Sequence, residues 1–162
     1  MNRRDHRLDE LEALYRDGFE RFLRVSIAIV GDRGLALDAV QEGFARAIHG
    51  RADFRGRGSL EAWVWRIVVN EALGSRRRRL AEVPSEWVES TSNGHAVGED
   101  ADLRAVVALL PERQRAAVFL RYFADLEYVA IAEALDVRVG TVSATLSAAH
   151  TAMRRTLQEV ER

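Results

Sequence analysis

The chain is 162 residues long, carries a formal net charge of -1 at pH 7 and contains no cysteine. Disulfide bonds and cysteine-ligated zinc are therefore excluded, and the four scattered histidines form no pair at the helical spacing that metal ligands need. Apolar residues make up 48% of the chain, yet no run of them approaches the roughly 18 residues of a membrane-spanning helix. Composition predicts a soluble, cytoplasmic protein with one domain or two small ones, no metal or other cofactor, and no membrane contact of its own.

Charge is distributed unevenly along the chain. Residues 1–80 hold 16 arginines against 12 acidic residues, residues 81–100 hold 5 acidic residues and no arginine, and residues 101–162 hold 8 of each. The net charges of the three segments are therefore +4, -5 and 0. Strong binding to duplex DNA normally needs a basic surplus, because phosphate neutralisation supplies most of the non-specific affinity. The free chain is expected to bind DNA poorly.

The first 50 residues predict two amphipathic helices. Apolar residues fall on one helical face across residues 8–30, and the turn residues Gly31 to Gly34 end that helix. The second helix, about Leu35 to His49, has two faces. Its apolar face consists of Leu37, Val40, Phe44 and Ile48, and its polar face consists of Asp38, Gln41, Glu42 and Arg46. Such a polar face is usually only solvated, so the pattern alone assigns it no role.

A loop rich in arginine and glycine, Arg51 to Gly58, precedes a strongly apolar helix. Ser59 is a good N-cap for this helix, which must be either a central core helix or one that receives a ligand. A further stripe of the helix consists of Trp63, Arg66, Asn70 and Arg77, and a basic cluster occupies Arg76 to Arg79. This mixture suits unstacked bases and their phosphates, because aromatic rings stack on bases, amides read base edges and arginines hold the backbone.

The C-terminal half begins with a linker and ends with closely spaced helices. Residues 81–100 are rich in serine and glycine and carry only acidic charge, which predicts a linker. Pro111 can begin a helix that runs to about Phe123. Two further helical stripes follow: Tyr128, Ile131, Ala132 and Leu135, and then Val142, Leu146, Ala149, Met153 and Leu157. Their tight connection predicts a helix-turn-helix, although a plain three-helix bundle without a ligand fits the same periodicity.

Several residue runs resemble a known family, the bacterial RNA polymerase sigma factors of the extracytoplasmic-function (ECF) group. The runs Leu110-Pro111-Glu112-Arg113-Gln114-Arg115, Leu120-Arg121-Tyr122-Phe123, Ile131-Ala132 and Gly140-Thr141-Val142 resemble the fourth conserved region of that group. The runs Asp38-x-x-Gln41-Glu42-x-Phe44, Phe54-Arg55-Gly56 and Leu60-x-x-Trp63-x-x-x-Ile67-x-x-Asn70 resemble its second region. The resemblance covers most of residues 8–157. It implies an all-α fold of two small helical domains: a region 2 bundle at residues 1–80 and a region 4 helix-turn-helix at residues 101–162, joined by a flexible acidic linker at residues 81–100.

The resemblance also implies a role for each surface. The protein would be an alternative sigma factor and not an enzyme: it would bind core RNA polymerase, direct it to promoter DNA and help open the duplex. The polymerase surfaces would be the β′ clamp helices and the β flap, and the docking residues would be Asp38, Gln41, Glu42 and Arg46. Contacts with the melted minus-ten element would come from Phe54, Arg55, Gly56, Ser59, Trp63, Arg66, Asn70, Arg76 and Arg77. Contacts with the minus-thirty-five element would come from Arg138, Gly140, Thr141, Ser143, Thr145 and Ser147.

The chain departs from the family pattern in the second helix of the helix-turn-helix. Four positions that are commonly cationic in relatives are here Ser143, Thr145, Ala148 and His150. Fewer phosphate contacts predict weak or relaxed reading of the minus-thirty-five element. A second departure is Gly74, where relatives often carry Asp.

Without polymerase, the two domains are expected to close on each other or on an anti-sigma protein, because a flexible linker permits closure and apolar docking surfaces favour it. Two other readings stay open. A stand-alone helix-turn-helix regulator leaves residues 35–80 unexplained and would normally dimerise. A sigma-like adaptor would bind polymerase or a regulator without recognising a full promoter.

Overall fold

The computed structural model describes residues 3–82 and 105–160, and all regular secondary structure in those ranges is helical. The helices are α1 (Arg3–Val30), α2 (Arg33–His49), α3 (Leu60–Glu82), α4 (Glu112–Tyr122), α5 (Tyr128–Leu135) and α6 (Val139–Val160). Residues 105–108 are helical as well. The predicted all-α fold class is confirmed. Most of the predicted linker lies outside the described residues, and α3 continues two residues past the predicted domain boundary at residue 80.

Local sequence chemistry accounts for three of the helix starts. The Asp32 carboxylate accepts a hydrogen bond from the Leu35 amide (2.9 Å), and the Ser59 hydroxyl accepts one from the Ala62 amide (3.0 Å), so the predicted cap of α3 is confirmed. Pro111 is the N-cap of α4, and its carbonyl accepts the Arg115 amide at 3.0 Å. Helix α1 begins at Arg3, five residues before the predicted apolar stripe, because polar residues continue a helix at little cost once it has formed.

Helices α1, α2 and α3 form an N-terminal unit with an aromatic core. The Phe22 ring stacks on Trp65 with centroids 3.9 Å apart and meets Phe44 edge-on at 4.9 Å. On α3, Val64, Trp65, Val68 and Val69 are buried, as expected of a core helix. Gly43 lets α2 approach α3 closely, since a Cβ at this position would lie 2.6 Å from Val68 Cγ2. This packing leaves the polar side chains of α2 and α3 on the outside.

Helices α4, α5 and α6 form the C-terminal unit and contain the predicted helix-turn-helix. Helix α5 ends at Leu135, and its C-cap Asp136 has a left-handed backbone (φ 54°) and donates its amide to the carbonyls of Ala132 and Glu133. Only residues 136–138 separate α5 from α6. The side chains of Val142, Leu146 and Ala149 are buried, as predicted, whereas Leu157 at the end of the same stripe is exposed.

The two units are in direct contact. Helix α3 packs against α5 and α1 packs against α4, and buried apolar residues of both units belong to one continuous cluster. Arg21 on α1 donates to the Ala124 carbonyl (3.2 Å) and pairs with Glu61 on α3 (2.9 Å). Contacts between the units therefore bring residues of α5 next to the apolar helix α3.

Candidate nucleic-acid interface and docking face

The polar face of α2 is an exposed surface, and two of its side chains form an ion pair with each other. Asp38, Gln41, Glu42 and Arg46 are all exposed. Arg46 pairs with Glu42 one turn earlier (2.9 Å) and with Glu71 on α3 (2.7 Å). The hydrogen bond from Arg46 to Glu42, and then the charge of Glu71, raise the pKa of Arg46. Asp38 makes no ion pair within residues 3–82 and 105–160, so it is the carboxylate of this face most available to a partner.

The loop between α2 and α3 is built around two glycines with positive φ. Gly56 has φ 72° and Gly58 has φ 77°, values that residues with a side chain rarely adopt. Arg55 and Arg57 are exposed beside them. The loop therefore presents exposed cationic side chains and exposed backbone groups, which is the chemistry expected for contact with the phosphates of a nucleic acid.

The predicted stripe on α3 continues the surface of this loop. Trp63 is half-buried, and its ring lies 5.5 Å from that of Phe54, tilted by 42°. Arg66, Asn70 and Arg77 are exposed, and Arg76 is half-buried. The structure thus places an aromatic pair beside an exposed amide and several cations on one unit. Trp65, in contrast, is fully buried, and its indole Nε1 donates to the Glu61 carboxylate at 3.4 Å.

Acidic residues of the C-terminal unit lie on part of this surface. Asp136 pairs with Arg66 (3.5 Å), and Glu112 pairs with Arg76 (3.7 Å). The Glu133 carboxylate sits so close to Gly58 that a Cβ there would collide with both of its oxygens. Sequence reasoning missed these contacts, because nothing local marks residues more than 30 positions apart as partners.

The second helix of the helix-turn-helix presents an exposed and nearly neutral surface. Arg138, Gly140, Thr141, Ser143 and Ser147 are exposed, whereas Thr145 is half-buried. His150 is exposed and lies 2.9 Å from the Tyr122 hydroxyl, which links α6 to α4. Arg138 is the cation at the start of this surface. The other predicted residues of the surface offer side-chain hydroxyl groups or, at Gly140, backbone groups.

Within residues 3–82 and 105–160, no three histidine, aspartate or glutamate side chains are grouped as metal ligands would be. Nor is any helix in those ranges both long and apolar enough to span a membrane.

Comparisons with known proteins match both units. The family described as "Sigma-70 region 2" matches residues 14–81, and "Sigma-70, region 4" matches residues 100–153. RNA polymerase sigma-H factor of Pseudomonas aeruginosa is 30% identical over 160 residues, which cover 88% of this chain and 83% of that protein. ECF RNA polymerase sigma-E factor of Escherichia coli is 32% identical over 143 residues, covering 77% of this chain and 75% of that protein.

One solved structure is similar over nearly the whole chain. It is the sigma factor RpoE of Bartonella quintana in complex with the anti-sigma factor NepR. The TM-score is 0.76, with 92% of this chain and 97% of that chain covered. Sequence identity is 21%, so the likeness shows a shared fold.

Proposed function

Because the chain belongs to the sigma-70 family of RNA polymerase sigma factors, in its extracytoplasmic-function group, we propose that it directs core RNA polymerase to promoters and helps to open them. Sigma factors supply binding energy and no catalytic step of their own. The protein would act where core polymerase and promoter DNA are found, in the cytoplasm. An anti-sigma factor is a further proposed partner, since the structural relative was solved with one.

The observation that best supports promoter opening is the continuous surface formed by the 51–59 loop and α3. Phe54 and Trp63 offer ring faces, Asn70 offers an exposed amide, and Arg55 and Arg66 offer cations. Stacking on such rings contributes about 1–3 kcal/mol per base and is available only to bases that have left the duplex. The surface therefore favours melted DNA over duplex DNA. Gly56, Ser59, Arg76 and Arg77 complete the proposed minus-ten contacts.

The proposed docking face for core polymerase is the polar surface of α2. Asp38 is exposed there without an ion pair in the described residues, and the neutral Gln41 is exposed beside it, whereas Glu42 and Arg46 pair with each other. We expect Asp38 to contribute most of the charge that polymerase meets. Arg46 would act mainly by orienting Glu42.

The proposed minus-thirty-five contacts lie at the start of α6. Arg138, Gly140, Thr141 and Ser143 are exposed at the N-terminal end, and Ser147 lies further along, with Thr145 partly covered. With so few cations, phosphate attraction is weak, and promoter choice would rest more on the minus-ten element.

Transcription in vitro with purified core polymerase and a library of genomic fragments tests this function. We expect initiation that depends on this protein at a subset of fragments, whose start sites share more sequence at minus ten than at minus thirty-five. A stand-alone regulator would instead bind fragments without polymerase and initiate nowhere. A sigma-like adaptor would bind core polymerase and also initiate nowhere.

Asp38→Arg tests the docking face in a direct binding measurement with purified core polymerase. We expect core affinity to fall by more than about tenfold, because a reversed charge at an interface meets like charge. The substitution is exposed and should change the free energy of unfolding by no more than about 0.5 kcal/mol. Asp17→Arg, an exposed aspartate on α1, is the matched control and should keep wild-type affinity. Equal affinities for the two variants would contradict the docking assignment.

A further inference from the structure

The side chain of Arg7, near the start of α1, connects that helix to the loop before α3. Its Nη1 donates hydrogen bonds to the backbone carbonyls of Arg51 (2.6 Å) and Phe54 (2.9 Å). Its Cζ also lies 5.3 Å from the centre of the Phe54 ring. Arg7 therefore holds both the backbone of the loop and the aromatic ring that the loop carries.

The loop has few backbone–backbone hydrogen bonds of its own to define its conformation. In the described loop, the bond from the Asp53 amide to the Gly50 carbonyl (2.8 Å) is the last backbone–backbone hydrogen bond before Ser59. Gly56 and Gly58 follow, and both lack the side chain that would restrict their backbone angles. A segment of this kind samples many conformations unless neighbouring groups hold it. Two charge-assisted hydrogen bonds from one guanidinium are a strong restraint on such a segment.

Phe54 carries this restraint to the proposed strand-binding surface. Its ring is close both to the Arg7 guanidinium and to the Trp63 ring, whose centroid is 5.5 Å away. A change at Arg7 would therefore alter both the aromatic pair and the path of the loop backbone. The match to Sigma-70 region 2 begins at residue 14, so Arg7 lies before the matched segment.

We propose that Arg7 is a positioning residue for capture of the melted minus-ten strand: it preorganises the Phe54–Ser59 loop and the Phe54–Trp63 pair before DNA arrives. This inference rests on the proposed function. Preorganisation matters because a loop that must order itself on binding loses part of the affinity gained from its contacts.

The test measures loop order and promoter opening separately. In hydrogen–deuterium exchange on the free protein, Arg7→Ala should raise exchange in residues 51–58 and leave α2 and α3 unchanged. With core polymerase and a responsive promoter, permanganate reactivity of minus-ten thymines should fall about tenfold, while core affinity stays at the wild-type value. Arg16→Ala is the matched control, because Arg16 is an exposed arginine on the same helix whose partner is its neighbour Asp17.

Arg7→Lys separates positioning from a simple need for charge. Lysine keeps a cation and its N–H donors at similar reach but has no planar face to set against Phe54, so it should restore part of the opening activity. If Arg7→Ala does not fold, the opening activity of Arg7→Lys alone decides: a partial loss supports the proposal and wild-type activity overturns it.

Two further results would overturn the proposal. One is wild-type opening by Arg7→Ala, and the other is a loss of opening matched by an equal loss of core affinity, which would indicate a merely structural role. Failure of the proposed function would look different, because the wild-type protein itself would then open no promoter.

Discussion

Among single residues, Asn70 has the most specific chemistry on the proposed strand-binding surface. It is exposed, and its amide makes no hydrogen bond within the described parts of the chain. An amide that pairs with a base edge contributes about 1–3 kcal/mol of discrimination. We therefore expect Asn70→Ala to reduce open-complex formation by about tenfold or more, measured by permanganate footprinting of minus-ten thymines.

The same substitution should spare the fold and the docking face. Asn70 contributes nothing to the core, so the free energy of unfolding should change by no more than about 0.5 kcal/mol, and core affinity should be unchanged. Gln158→Ala, which removes an exposed amide near the end of α6, is the control and should open promoters normally. Wild-type thymine reactivity in Asn70→Ala would leave Asn70 without a role in base reading.

Between elements, the approach of α2 to α3 depends on Gly43. A Cβ at this position would meet Val68 Cγ2 at 2.6 Å and the Val68 backbone at 3.0 Å, so Gly43→Ala must push the two helices apart. We expect a loss of about 1–3 kcal/mol in the free energy of unfolding, measured by urea denaturation. Gly74→Ala is the matched change on α3, where the Cβ would meet only the flexible end of Arg78 at 3.3 Å. It should stabilise the protein by up to about 1 kcal/mol, because alanine favours a helix interior more than glycine does. Equal effects at the two glycines would contradict the close packing of α2 on α3.

The elements that sequence predicted well are those determined by neighbouring residues. Ser59 and Pro111 mark helix starts through their own backbone chemistry, and the spacing of Val142, Leu146 and Ala149 identifies the buried side of α6 without reference to the rest of the fold. Leu157 shows the limit of periodicity: it continues that spacing but is exposed, because burial needs an opposing element as well as a pattern. The Arg7 contacts with the loop could not be predicted from local sequence either, because they too depend on the tertiary fold. They join Arg7 to residues 44 and 47 positions later in the chain, and no local sequence pattern identifies such distant partners.

At the scale of the whole molecule, contact between the two units places acidic residues on part of the proposed strand-binding surface and leaves the other two proposed surfaces open. Asp136 pairs with Arg66, and the Glu133 carboxylate lies against Gly58, so we expect these carboxylates to oppose the phosphates of a captured strand. The polar face of α2 and the start of α6 remain exposed in the same arrangement. We therefore expect core polymerase to dock on the protein while its two units are in contact, whereas strand capture should require the units to separate.

This arrangement gives a second physical reason to expect weak DNA binding by the free protein. If only a fraction of molecules is open, the apparent dissociation constant rises in inverse proportion to that fraction. Exposed ion pairs between the units are worth only about 0.2–1 kcal/mol each, so the closed fraction should respond to small changes in charge. The apolar cluster shared by the units supplies the rest of the closing free energy.

Neutralising the two acidic residues tests the closed state. Glu133→Gln with Asp136→Asn keeps side-chain size, and asparagine tolerates the left-handed backbone at residue 136. We expect the double variant to show a larger radius of gyration in small-angle scattering and to bind a single-stranded minus-ten oligonucleotide about threefold to tenfold more tightly. Glu127→Gln with Asp125→Asn is the matched control, since it removes the same charge from the same unit, and Asp125 also has a positive φ but pairs with Arg121 within its own unit. If both double variants bind the oligonucleotide equally, the gain comes from net charge alone. The acidic residues of α5 and its C-cap would then not compete with DNA for the strand-binding surface.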